Sequence, residues 1–193
     1  MRELTFWTTN SHKLQESSNI LWIELKWYTK EDLEKIKEAC WWDLKEIQSM
    51  DIIEIVKRKA KDVFDILGRP VIVEDTGYFI DSLWWFPWPF VKYIVDGPAW
   101  IETLFKMMAW NPDRTIRAIT WVSMYDWDKY TVWYGELEWR IPEKPRGDKF
   151  WWSNAFEVKW LNKTFWEITE EEKNQISMRK LALLDFIKNL SEQ

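Results

Sequence analysis

The chain has 193 residues, a formal net charge of -5 and a pI of about 5.1. That length allows one large domain with a sizeable core, and the acidic balance excludes a general nucleic-acid binder, which needs a basic surface. A single cysteine, Cys40, rules out an intrachain disulfide and fits a reducing, cytoplasmic setting. A single histidine, His12, excludes any site built on two or more histidines. No apolar run reaches the length of a membrane span, and the opening MRELTFWTTN lacks a signal-peptide core, so no membrane partner is expected. Tryptophan is abundant, 18 residues against 5 glycines. Trp84, Trp85, Trp88, Trp127 and Trp151 fall where turn chemistry asks for a small residue, and a mid-loop tryptophan does not readily adopt positive φ.

Arg2 to Thr8 alternates loosely and is rich in β formers, which predicts a first strand. The polar turn Thr8-Thr9-Asn10-Ser11 follows, and a helical pattern begins at His12 with Leu14, Ile20 and Leu21 as apolar positions. Strand, polar turn, helix is the layout that aims backbone N–H groups at an anion, and Asn10 and Lys13 would add donors. The same residues also suit a plain strand-to-helix connection with an N-cap and a surface lysine, because no glycine is present to cradle a phosphate. Trp22 to Tyr28 is a candidate strand, Thr29 to Glu38 a charged helix, and Cys40 to Leu44 a short strand. Asp51 with Glu54 reads as a capping box. Behind it Ile52, Ile55, Val56, Ala60, Val63, Phe64 and Leu67 mark a long amphipathic helix, closed by Gly68 and Pro70. Of its cations Lys57, Arg58, Lys59 and Lys61, most read as a solvated face, with one able to reach a phosphate.

Val71-Ile72-Val73 runs without a polar break and ends in Glu74-Asp75-Thr76-Gly77. A short unbroken apolar run of this kind predicts a strand buried on both faces. Two adjacent carboxylates at its end are costly to bury unless a cation or a proton accounts for them. Ligands of open α/β sheets sit beyond the carboxyl ends of the strands, so Glu74 and Asp75 are candidates for a metal site, against an ordinary solvated strand end. With one histidine in the chain, carboxylate and water ligands point to a hard cation such as Mg²⁺. Further on, Phe86-Pro87-Trp88-Pro89 is a stiff loop, and Phe90 to Val95 and Trp100 to Ala109 are predicted helices. Thr115 to Tyr125 and Tyr130 to Arg140 form a predicted hairpin around Asp126-Trp127-Asp128. Pro142 to Lys149 is a loop, with a short strand near Phe156. Thr169 with Glu172 is a second capping box, and Ser177 to Leu190 a C-terminal amphipathic helix. Mixed strands and helices without repeats or linkers give an α/β (mixed α+β) class, one domain over 1–193 with two lobes.

In order and spacing these motifs resemble the inosine triphosphate pyrophosphatases of the Ham1 type, which act on non-standard purine nucleoside triphosphates. Trp7 to Lys13 is similar to the family's opening A-T-G-N-x-x-K. Glu46-Ile47-Gln48 with Glu54-Ile55-Val56 and Lys59-Ala60 is similar to its E-x-Q…EI…KA. Val71 to Asp81 is close to V-x-x-E-D-T/S-G-L-x-I-D, and Leu83 to Phe90 to L-x-G-F-P-G-P-Y. Pro145-Arg146-Gly147, Lys163-Thr164-Phe165, Glu171 to Asn174 and Ser177-x-Arg179 follow its C-terminal motifs. The resemblance implies a long, twisted mixed sheet flanked by helices, in two lobes with a central cleft, and a homodimer. It implies Mg²⁺-dependent hydrolysis of ITP, dITP and XTP to the monophosphate and pyrophosphate. By the same resemblance Glu46 and Asp75 would hold the metal, with Glu74 beside them, and Asp75 would activate water. Thr8, Thr9, Asn10, Ser11, His12 and Lys13, with Lys173, would cradle the triphosphate, and Thr76 would contact substrate. The Maf-type nucleotide pyrophosphatases share a two-lobed architecture but fit the TGYFID and KTF-to-SxR motifs less well.

The base-recognition end departs from the family pattern. F-G-W/Y-D-P is here Phe150-Trp151-Trp152-Ser153-Asn154, so Ser153 replaces an aspartate. S-H-R is here Ser177-Met178-Arg179, so Met178 replaces a histidine. Trp85, Trp88, Trp151 and Trp160 stand at family glycines. A polar pocket selects its base by completing every hydrogen bond, so impaired selectivity is expected, and a chain that folds but no longer turns over is the alternative. Stacking of single-stranded nucleic acid on exposed tryptophans is disfavoured by the acidic charge.

Overall fold

Strand β3 (Val71–Phe79) is set by its three consecutive β-branched residues, and all three are fully buried. The computed structural model describes residues 5–8, 10–21, 26–40, 47–95, 97, 99–147 and 152–191. In chain order they form β1 (Thr5–Trp7), α1 (Ser11–Leu21), β2 (Lys26–Trp27), α2 (Lys30–Cys40), α3 (Ile52–Leu67) and β3. Then come α4 (Val91–Val95), α5 (Trp100–Met107), β4 (Thr115–Asp126) and β5 (Lys129–Arg140). The chain continues through β6 (Glu157–Val158), β7 (Lys163–Thr164), α6 (Glu170–Gln175) and α7 (Met178–Ser191). The strands make one seven-stranded sheet in the order β2-β1-β3-β4-β5-β6-β7. It is mixed: β1 pairs in parallel with β2 and β3, whereas β6 pairs antiparallel with β5 and β7. The class is the mixed α/β arrangement expected. No described helix is long and apolar enough to cross a membrane.

The residues group into two compact units. The first holds 1–76, 120–135 and 178–193, and its sheet is covered on both faces. Side chains alternate along a strand, so Ile72 points to one face, into a core with Phe6, Ile20, Val122, Leu183 and Phe186. Val71 and Val73 point to the other, against Trp7, Ile36, Ala60 and Val63. Each of these buried aliphatic side chains contributes on the order of 1.5–3 kcal/mol. Helix α3 ends as its sequence predicts: Gly68 takes φ 67° and donates its N–H to the Phe64 carbonyl. The second unit holds 77–119 and 136–177. Its core is aromatic, with Trp139 packed on Phe165 at 4.3 Å and Phe156 stacked on Tyr78 at 5.4 Å. Arg114 ties it together by donating to the carbonyls of Met108, Ile141 and Pro142.

Several expectations shift. Strand β3 does not end at Glu74 but runs on to Phe79, because Glu74, Gly77 and Phe79 are buried as well. Cys40 closes α2 rather than opening a strand; residues 41–44 lie outside the described set, as do Arg2 to Leu4 and residues 22–25. Asp51 caps α3 through the Ile53 N–H, but Glu54 accepts from the Ser49 hydroxyl instead of the Asp51 N–H, so the box is not reciprocal. The Thr169–Glu172 box is reciprocal. The β4–β5 hairpin stands where predicted.

Three of the five flagged tryptophans behave as their positions warned. Trp84, Trp85 and Trp127 have φ of 56°, 70° and 58°. A left-handed backbone costs an L-residue about 1–2 kcal/mol, while glycine would give the unfolded chain back about 0.4–1 kcal/mol of entropy. Trp84 is 93% exposed, so it has little packing to lose. Trp84→Gly is therefore expected to stabilise the chain by about 0.5–1 kcal/mol, read as a raised thermal midpoint; a lowered midpoint would show that the ring contributes more than the strain removes. Trp127 should gain less, because its ring packs edge-on to Phe64 at 5.0 Å.

Gly135 on β5 is a point of close approach. A Cβ there would lie 2.1 Å from the Met178 carbonyl oxygen and 2.6 Å from the Ala182 nitrogen. The first turn of α7 therefore rests directly on the β5 backbone. Gly135→Ala is expected to cost about 1–3 kcal/mol through overpacking, measured by urea denaturation; an unchanged midpoint would mean that α7 shifts freely.

Candidate active site

The chemistry-bearing residues of the first unit lie in the β1–α1 turn, in the middle of β3 and on the first turns of α1 and α7. Thr8, 8% exposed, accepts the Asn10 N–H on its hydroxyl at 3.1 Å. Asn10 accepts the Lys13 N–H on its side-chain oxygen at 3.3 Å, which caps α1. Both side chains thus shape the turn that leads into α1. Of Ser11 and His12 the structure describes the backbone, the first turn of α1. Thr9 lies outside the described residues.

Glu74 is 2% exposed, and its side chain is surrounded by cations. Arg179, on the first turn of α7, donates from Nε to Oε2 at 2.6 Å and from Nη2 to Oε1 at 3.0 Å. Lys13 Nζ lies 2.9 Å from Oε1. The remaining guanidinium nitrogen of Arg179, Nη1, donates to Glu16 on α1. Arg179 is 7% exposed, whereas a quarter of the Lys13 side chain reaches solvent. Burial alone would push the Glu74 carboxyl up. The charges of Arg179 and Lys13 and their hydrogen bonds more than offset this and bring it down to about 2. The four side chains form a set of two anions and two cations, which is how a buried charge escapes the cost of desolvation. Lys59 adds its ammonium at 3.5 Å from the Glu74 carbonyl.

Asp75 is the next residue on β3, with its side chain on the opposite face of the strand. It is half-buried, and its Oδ1 accepts the Thr76 N–H at 2.9 Å. Thr76 shares a hydrogen bond with Thr120 at 2.9 Å. Glu46 lies outside the described residues, and among those described no three His, Cys, Asp or Glu side chains converge as a metal cage. The donor set still suits Mg²⁺: this ion is commonly held by one or two carboxylates together with substrate phosphates and water, and Asp75 supplies a hard oxygen donor of that kind. The Glu74 oxygens already have cationic partners.

Lys173 and Ser153 belong to the second unit. Lys173 is half-buried in the last turn of α6. Ser153 is half-buried in a short 3-10 turn, Trp152–Asn154, and its carbonyl accepts the Trp166 N–H at 2.8 Å. Phe150 and Trp151 lie outside the described residues, and only the backbone of Trp152 is described. Met178 is 7% exposed; its thioether cannot donate the hydrogen bond that the histidine of the resembled family could. Sequence reasoning missed Glu16 and the pairing role of Glu74. The one available signal for Glu16 was its place one turn after Lys13, on the same face of α1.

A half-exposed carboxylate on a central strand, next to a buried ion cluster and a strand-to-helix turn, is what the first unit of this mixed-sheet α/β protein gathers. The comparisons give this class its family. The Ham1 family model matches residues 4–189, and the chain belongs to that family. It is 32% identical over 196 residues to the dITP/XTP pyrophosphatase of Ignicoccus hospitalis, covering 98% of this chain and 97% of that one. It is 35% identical over 146 residues to inosine triphosphate pyrophosphatase 2 of Trypanosoma cruzi, covering 74% of each. Its fold matches the structure of a Ham1 protein from Coxiella burnetii with a TM-score of 0.84 at 24% identity, over the full length of both chains.

The ion cluster sets a pH limit. A group whose pKa is lower in the folded chain stabilises it above the unfolded value and loses that contribution as pH falls. Glu74, ordinarily near 4.5 and here about 2, therefore stabilises fully above pH 4.5 and fails between 4.5 and 2. Asp32 acts in the same sense: burial raises its carboxyl, but the Arg69 fork and the Thr29 bonds bring it below its ordinary value. Denaturation midpoints are expected to fall below pH 4.5 with a shallower acid limb in Glu74→Gln; an equally steep limb in that variant would show that other groups control it.

Proposed function

We propose that this chain is a Mg²⁺-dependent nucleoside triphosphate pyrophosphatase acting on non-standard purine nucleotides such as ITP, dITP and XTP. The observation that carries this reading is the placement, on neighbouring residues of β3, of the half-exposed Asp75 carboxylate and of Glu74, which holds the partly exposed Lys13 ammonium at 2.9 Å, in a family whose similar members are named for this activity. In the proposed reaction Asp75 accepts a proton from water. The water oxygen bonds to the α-phosphorus, the bond from that phosphorus to the β-phosphate bridging oxygen breaks, and the pair of electrons leaves with pyrophosphate. Lys13 and the N–H groups of the α1 N-terminus offset the phosphate charge. Bound Mg²⁺, held by Asp75 and, by resemblance, Glu46, would neutralise charge on the phosphate oxygens. Lys173 would add a second cation, and Thr8 to His12 and Thr76 would line the phosphate side. Phe150 to Ser153 with Met178 would meet the base. A homodimer and a cytoplasmic setting belong to the same reading.

A second reading, an impaired or inactive relative, is favoured by one feature: Met178 is a buried apolar side chain where the family pattern has histidine. Pyrophosphate release from ITP, XTP, GTP and ATP, with and without Mg²⁺, decides between them. Mg²⁺-dependent release is expected, with a compressed preference for ITP or XTP because two hydrogen-bonding positions are lost. No release from a folded chain would establish the inactive reading. Asp75→Asn is expected to lower kcat by about 10²–10⁴-fold, the range for a lost general base, with the fold retained by circular dichroism; unchanged turnover would remove Asp75 from the chemistry.

A further inference from the structure

The two acidic residues at the middle of β3 are adjacent in sequence but differ in their surroundings. Asp75 is half-buried and reaches solvent. Glu74 is buried, takes the fork of Arg179 on both oxygens, and holds Lys13 on one of them. A carboxylate with this set of partners can bind a metal only by giving up a buried ion pair. Lys13, in contrast, has three N–H donors, a quarter of its side chain in solvent, and a contact to Glu74 at 2.9 Å. Arg179 turns its Nε and Nη2 toward Glu74 and its Nη1 toward Glu16, which joins α7 to β3 and α1.

Resting on the pyrophosphatase reading, we infer that Glu74 is a positioning residue and not a metal ligand: pinned by Arg179, it aims the Lys13 ammonium at the substrate phosphates. The inference separates from a simple charge effect by its sign. Removing a negative charge beside two cations strengthens anion binding if only charge matters. If Glu74 sets where Lys13 sits, removing its grip weakens binding.

The experiment titrates inorganic tripolyphosphate, without metal, into the wild-type chain, Glu74→Gln, Lys13→Met and the double variant, by calorimetry. In parallel, kcat and the Mg²⁺ half-saturation are measured with ITP. Glu74→Gln is expected to weaken tripolyphosphate binding and lower kcat by about tenfold, the scale of a small misplacement, while leaving the Mg²⁺ half-saturation unchanged. In the Lys13→Met background Glu74→Gln should have no further effect, since two residues acting through one contact are not additive. Lys13→Arg keeps the charge but changes the reach, and with Glu74 intact it is expected to lose affinity as well; it guards against a Glu74→Gln chain that does not fold.

Equal or tighter tripolyphosphate binding by Glu74→Gln overturns the inference. So do additive losses in the double variant, wild-type affinity in Lys13→Arg, or a Mg²⁺ half-saturation that rises with the loss in kcat, which makes Glu74 a ligand. A wild-type chain without tripolyphosphate affinity overturns it too. A wild-type chain that binds tripolyphosphate but releases no pyrophosphate from any nucleotide ends the hydrolase reading alone, and the affinity ratios still decide the role of Glu74.

Discussion

A buried carboxylate surrounded by cations is the constraint on which the first unit depends. Glu74 sits in the middle of a strand whose neighbours Val73 and Ile72 are fully buried, so its charge is stable there only while Arg179 and Lys13 stay in contact. Each partner comes from a different element. Lys13 comes from α1, which stands where it does because Thr8 and Asn10 shape the turn before it. Arg179 comes from α7, which reaches the sheet because Gly135 has no side chain in the way. Packing, capping and ion pairing therefore have one common solution, and a change in any of them is felt at the strand that also carries Asp75.

Much of the fold was legible because its signals are local. The unbroken Val71 to Val73 run, the Gly68 terminus of α3, the Thr169–Glu172 box and the β4–β5 hairpin each follow from short-range chemistry, and each stands in the structure. The extension of β3 past Glu74 was not legible. A run of Glu-Asp-Thr-Gly reads as the end of a strand, and only partners far along the chain turn Glu74 into an interior residue. The same reason hid Glu16: a lone glutamate on a polar helix face carries no mark of an arginine 163 residues away.

The site was legible by motif and less so by role. The resemblance brought Lys13, Glu74, Asp75 and Arg179 together, and the structure places Lys13, Glu74 and Arg179 in one cluster, with Asp75 next to it on β3. The resemblance set Asp75 on the metal with Glu74 beside it; adjacency on a strand sends the two side chains to opposite faces, but does not say which of those faces holds the cations of α1 and α7. The tryptophan warning was physical rather than motif-based, and three of the five positions carry positive φ. Trp88 does not; it is buried against Phe79 at 5.6 Å, so at that position the large ring fills space.

The spacing of the ion cluster also bears on how the chain comes to be made. Arg179 follows Glu74 by 105 residues, so on a ribosome β3 emerges long before its guanidinium exists. Until then, of the two described cations that hold its carboxylate, Lys13 alone has been made. Residues 77–119 and 136–177 are complete before α7 begins, so the second unit can close while the first waits. Helix α7, made after the strands and helices it packs against, thus completes a unit that opens with β1, so the first unit depends on contacts of large sequence separation, the kind that form slowly.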